Sequence, residues 1–128
     1  MRLSDDRVAL GRLGEGIAAS FLEERGHAVL GRRLRVRHGV VDLVTQSGDH
    51  LYFVEVKTRR AREEDDRFGG GLGALTPRKM RRMERTAQVL IGRRNWHHLH
   101  PHFAVLTVEE LPDRRRIRFL PDAFDASR

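Results

Sequence analysis

Two carboxylates and one amine fall where strand residues are usually apolar. The stretch "YFVEVKT", Tyr52 to Thr58, has the aromatic and β-branched make-up of a buried strand, yet it carries Glu55 and Lys57. Side chains alternate faces along a strand, so Phe53, Glu55 and Lys57 share one face, and Tyr52, Val54 and Val56 the other. In the preceding stretch "GVVDLV", Asp42 sits with Val40 and Val44, while Val41 and Leu43 point away. A short hairpin would bring Asp42 and Glu55 together across the ladder. Two carboxylates at one spot on an apolar sheet repel each other and lose hydration, and a cation between them relieves both costs. A few oxygen ligands, with the rest left to water and substrate phosphate, describe a Mg²⁺ or Mn²⁺ site. Lys57 beside it can orient a water, assist its deprotonation or stabilise charge on a phosphate. Metal, lysine and a basic surface together point to phosphodiester hydrolysis. The same residues also read as a plain ion pair, Lys57 with Glu55 or Asp42, on a half-solvated face.

The elements that must position these groups are legible in outline. "ALGRLGEGIAASFLEERGH" has Leu10, Leu13, Ile17, Phe21 and Leu22 at helical spacing, weakened by Gly11, Gly14 and Gly16, with Gly26 as a stop. "HAVLGRRLRV", "GVVDLVT" and "HLYFVEVKT" predict three strands, with "QSGD" turning between the last two. Residues 59–75, with mixed charge and a glycine cluster, predict a mobile surface loop, and 1–8 a loose N-terminal segment. "TPRKMRRMERTAQVLIGRR" predicts a second helix, with Thr76 as N-cap and Pro77 in the first turn. Met80, Met83, Ala87, Leu90 and Ile91 make its apolar face. "HFAVLTVEEL" and "RRIRFL" predict a hairpin across "PDR". The expected order is α-βββ-α-ββ: one α/β domain over residues 1–128, a mixed sheet flanked by helices.

The formal charge is +7 and the sequence pI about 11.2. Such a surplus fits an anionic partner, above all nucleic acid, although the predominance of arginine also fits a compositional bias. There is no cysteine, hence no disulfide or thiolate site. No apolar run of membrane-spanning length or secretory signal core is present, so a cytoplasmic protein with no membrane association is expected. Arg59 and the cations of the second helix, Arg78, Lys79 and Arg82 above all, could follow a phosphate backbone or simply face solvent. The tract "WHHLHPH" gathers His97, His98, His100 and His102. Pro101 opposes a helix that would align His98 with His102, so a solvated loop or phosphate contacts are expected before a zinc site. Trp96 could stack on a base or anchor packing.

Asp42 followed by Glu55-Val56-Lys57 resembles the D…ExK core of the PD-(D/E)XK nuclease superfamily. More closely, "LGEGIAASFLEERGHAVL", "GVVDLV", "YFVEVKTR", "FGGGLGALTPRKMRRMERTAQVLI" and "HFAVLTV" together resemble the YraN family of small bacterial proteins. That family is similar to archaeal Holliday-junction resolvases. The resemblance implies a restriction-endonuclease-like core and a Mg²⁺- or Mn²⁺-dependent endonuclease acting on structured or branched DNA. It implies that Asp42 and Glu55 bind the metal with the Val56 carbonyl, that Lys57 is the catalytic lysine, and that Glu15 completes the site. By analogy with resolvases that cut two symmetric strands, it implies a homodimer. Two positions depart from the pattern. Val40 stands where the family usually has glutamate, and Ala104 where it usually has aspartate. Val40 would share a face with Asp42 and remove a carboxylate there. The alternatives are therefore a non-catalytic nucleic-acid-binding module that keeps the fold, or a structural partner protein.

Overall fold

The computed structural model describes residues 3–60 and 75–125, with side chains from Ala9 onward. Helix α1 (Leu3–Glu24) leads into β1 (Ala28–Val36), β2 (Gly39–Ser47) and β3 (His50–Arg60); α2 (Pro77–Arg94) then crosses to β4 (His100–Glu110) and β5 (Arg115–Phe124). The sheet order is β1-β2-β3-β4-β5, antiparallel except for the parallel β3–β4 pair that α2 connects. This is the α-βββ-α-ββ order expected from the sequence. Three boundaries differ. Helix α1 starts at Leu3, inside the segment expected to be loose. Arg59 and Arg60 belong to β3 rather than to the loop, whose residues 61–74 lie outside the described ones. His100 and Pro101 open β4, because an extended strand tolerates proline at its first residues.

Local chemistry explains the ends of the elements. Thr76 Oγ1 accepts the Lys79 N–H at 3.2 Å, Pro77 starts α2, and Asn95 closes it in the left-handed region at φ 56°. Gly48, at φ 59°, opens the tight β2–β3 turn flanked by the Ser47–His50 pair.

The two helices cover opposite faces of the sheet. Ala18, Ala19 and Leu22 of α1 form one core with Leu43, Val54, Ala104, Leu106 and Val108. Ala87 and Leu90 of α2 form the other with Val41, Val44, Leu51, Phe53, Leu99 and Phe103. The buried stripe of α1 is narrower and made of smaller residues than its leucine spacing predicts, and Leu13 is 53% exposed. The reason is close approach. A Cβ on Gly14 would stand 2.0 Å from Thr58 Oγ1 and 3.2 Å from Thr58 Cβ. The glycines that weakened the helix on propensity thus include the one that lets it press on β3. We expect Gly14→Ala to destabilise the protein by about 1–3 kcal/mol, although alanine favours a helix, because the contact is overpacked. A urea midpoint at or above that of the parent would contradict this.

Candidate active site

The site forms where β2 parts from β3. Their ladder runs from Ser47–His50 to Leu43–Val54 and stops one step short of Asp42 and Glu55. The Val56 N–H, left without a partner on β2, donates instead to Asp42 Oδ2 at 2.9 Å. The carboxylate has replaced a ladder carbonyl. Face alternation fails at the same place: Val41 packs on the α2 side and Leu43 on the α1 side. The opposing strand is distorted there too. The pairs Arg32–Leu43 and Leu34–Val41 set Arg33 opposite Asp42, and Arg33 has φ 49°, in the left-handed region that non-glycine residues rarely adopt. Asp42 and Glu55 do come together, but through this split rather than as a regular cross-strand pair.

Each helix adds one charged group. Glu15, brought in by the Gly14–Thr58 approach, is held by Arg33: Nη2 lies 3.0 Å from both carboxylate oxygens. From the first turn of α2, Lys79 Nζ lies 3.1 Å from Glu55 Oε1. Glu55 Oε2 is buried and accepts no hydrogen bond among the described residues. A cavity of about 230 Å³ opens here, lined in part by Val40, Asp42, Glu55, Lys79 and Arg82.

These neighbours displace the acid–base equilibria. Burial pushes the Asp42 carboxyl up; the Val56 N–H opposes this, Glu15 and Glu55 add to it, and Arg33 opposes it. Burial pulls the Lys57 ammonium down, Glu55 resists, and contact with Lys79 pulls it further. Lys79 also loses hydration, but its hydrogen bond and charge interaction with Glu55 outweigh that and hold it above the ordinary lysine range.

Of the residues predicted from sequence, Glu15, Asp42, Glu55 and Lys57 therefore converge, with Val56 in the same gap. Glu15 arrives with both oxygens already engaged by Arg33. Val40 is 49% exposed at the cavity. Ala104 is fully buried against the α1 side, beside Val54 rather than Glu55, so it is core and not part of the site. Arg78 and Arg82 are exposed on α2. Arg59 is committed elsewhere: its Nε lies 3.0 Å from Oε2 of Glu109. Glu109 is fully buried and also takes hydrogen bonds from Arg116 and Arg118 at 2.8–3.1 Å. Sequence reasoning missed this hub and Arg33, and it placed Lys79 on a phosphate track rather than against Glu55.

The histidine tract divides. His97 and His98 are exposed before β4, whereas His100 and His102 lie in the strand rather than in a solvated loop. His102 Nδ1 is 2.6 Å from Asp122 Oδ1, and its Nε2 is 2.8 Å from His50 Nδ1. Tyr52 stacks on the His102 ring at 4.7 Å. Among the described residues no three His, Asp or Glu side chains are arranged to hold a metal, here or at Asp42 and Glu55. Trp96 packs edge-on to Phe53 in the α2-side core, as an anchor does. No helix among the described residues is long and apolar enough to cross a membrane.

A family model described as "Uncharacterised protein family UPF0102" matches residues 14–119. A UPF0102 protein of Symbiobacterium thermophilum is 41% identical over 118 residues, covering 91% of this chain and 97% of that protein. One from Mycolicibacterium vanbaalenii is 38% identical over 114 residues, covering 89% of each. One from Geobacter sulfurreducens is 36% identical over 117 residues, covering 91% of this chain and 88% of that protein. The matched span runs from the glycine that seats α1 to β5 and includes every residue of the split-strand site, so the chain belongs to the UPF0102 family, the same family as YraN.

Proposed function

We propose that this protein is a Mg²⁺- or Mn²⁺-dependent endonuclease acting on structured or branched DNA. The observation that carries the reading is the gap between β2 and β3, where Asp42, Glu55 and Lys57 meet and Glu55 Oε2 is buried without a partner among the described residues. A buried carboxylate oxygen in that state is costly unless something binds it. The donor set fits a hard divalent ion: oxygens from Asp42 and Glu55, plus the Val56 carbonyl, which faces the same gap as its N–H. Three side-chain ligands are not needed, because Mg²⁺ keeps several waters and takes substrate phosphate. When bound, the ion would polarise the phosphate and acidify a water.

The chain's own residues account for the rest. Phosphodiester hydrolysis forms a bond from water oxygen to phosphorus and breaks one phosphorus–oxygen ester bond, whose leaving oxygen takes a proton from solvent water. Lys57, whose ammonium burial disfavours, would in its neutral form take the proton of the attacking water. Glu15 and Arg33 set the charge beside Asp42. Lys79 and Arg82, on the cavity wall, face the side from which a phosphate backbone would arrive. Two observations favour a second reading, a nucleic-acid-binding module without catalysis. The Lys79 ammonium already neutralises Glu55, and Val40 leaves an apolar group at the mouth.

The test is cleavage of labelled four-way junction, flap, single-stranded and duplex DNA with Mg²⁺, Mn²⁺ or EDTA. Metal-dependent products, most from branched DNA, are expected. Salt-sensitive binding with no product in either metal would overturn the endonuclease reading and leave the binding module.

A further inference from the structure

Three carboxylates and three cationic side chains crowd the split between β2 and β3: Glu15, Asp42 and Glu55 against Arg33, Lys57 and Lys79. Arg82 adds a fourth cation on the cavity wall. The carboxylate charges are therefore already met by cations. A metal pocket that relied on its metal for neutrality would instead hold excess negative charge. The cations are not equivalent. Arg33 is locked by its paired contacts to Glu15 and by its own backbone, on β1. Lys57 lies on the same strand as Glu55. Lys79 comes from α2 and reaches Glu55 at the end of a flexible four-carbon stem, and its side chain is 33% exposed. Its backbone is fixed by the Thr76 cap, so only the side chain is free to move.

We propose that Lys79 is a resident counter-ion of this pocket: its ammonium competes with a divalent ion for the charge of Glu55, and on metal entry it turns from Glu55 to pair with a DNA phosphate. This deepens the metal-site reading above and rests on it. The geometric case starts from the two oxygens of Glu55. Lys79 Nζ stands 3.1 Å from Oε1, while Oε2 is buried without a partner among the described residues. A divalent ion on Oε2 would stand across the same carboxylate from that ammonium, so the two cations compete for one negative charge. The charge case points the same way. With the dication present, Lys79 would face two like charges where it had faced a carboxylate, and an anionic phosphate at the cavity is its nearest relief. Metal entry and substrate binding are thereby coupled through one side chain.

The test measures Mn²⁺ binding to the full chain without DNA, by electron paramagnetic resonance of free Mn²⁺ and by calorimetry. Lys79→Met, which keeps the stem and removes the charge, is expected to tighten the Mn²⁺ Kd about tenfold. Lys79→Arg, which can grip Glu55 with two hydrogen bonds, is expected to weaken it and covers the case in which Lys79→Met fails to fold. Lys79→Met is also expected to lower DNA affinity, and the salt slope by about one, only when metal is present. Asp42→Asn is the control for the site itself. Equal Mn²⁺ affinity in the parent and both Lys79 variants, with binding lost in Asp42→Asn, would overturn the counter-ion role and leave the metal site standing. No Asp42-dependent Mn²⁺ binding in any variant would overturn the metal site, and the counter-ion role with it.

Discussion

Asp42→Ala is expected to lower metal-dependent cleavage at least about 10³-fold and to leave DNA affinity within about threefold. The asymmetry follows from what Asp42 touches. Its Oδ2 accepts the Val56 N–H inside the split strand, and the cations of α2 that would meet DNA, Lys79 and Arg82, stay in place when it is removed. Alanine removes both the charge proposed to bind the metal and the group that fills the gap, so Asp42→Asn belongs beside it. The amide oxygen can still accept the Val56 N–H, but the charge is gone. If catalysis needs the charge, asparagine is nearly as damaging as alanine while its melting temperature stays closer to that of the parent. Lys57→Ala is expected to cost about 10²–10⁴-fold, the range for loss of a proton-transfer group. Cleavage that persists in both Asp42→Ala and Lys57→Ala would sink the proposed active site, whatever the family of the chain.

The second large effect is on stability. Glu109→Gln is expected to cost about 3–5 kcal/mol, the range for breaking a buried ion cluster by removing one partner. Glu109 is fully exposed to three guanidiniums and not at all to water. Those arginines come from β3 and β5, on either side of its own strand, so one carboxylate ties three strands together near the end of β3. The pH dependence follows from the same contacts. Burial alone would raise the Glu109 carboxyl, but the hydrogen bonds from Arg116, Arg118 and Arg59 pull it from 4.5 down to about 2. Because the folded-state value lies below the unfolded one, the stabilisation is full above about pH 4.5 and is lost as pH falls towards 2. Its size is on the order of 3 kcal/mol. Urea midpoints of the parent and Glu109→Gln should thus differ most near pH 6 and converge towards pH 2.5. A gap that stays constant with pH would show that ionisation of Glu109 is not what stabilises the fold.

What the sequence determined by itself is the set of elements, their order and the strands that carry Asp42, Glu55 and Lys57. Those signals are local. Alternation in "YFVEVKT", the Thr76-Pro77 start and the Gly48 turn act over a few residues, and the structure keeps all three. The family resemblance added Glu15 and Val56, and both lie at the split. Tertiary structure decided the rest. Strict alternation put Val41 on the face of Leu43 and made Asp42 and Glu55 a ladder pair, but β2 leaves β3 before they meet. Arg33 is indistinguishable in sequence from the other arginines of a basic chain, and Lys79 reads there as a phosphate contact rather than as a partner of Glu55. They become site residues because a strained backbone on β1 and the first turn of α2 deliver them to carboxylates on other elements. The Glu109 hub and the His50–His102–Asp122 chain likewise join groups on separate strands. Such contacts depend on strand register and on how closely each helix sits on the sheet. A pattern confined to neighbouring residues encodes neither, because register is set by the packing of both faces at once.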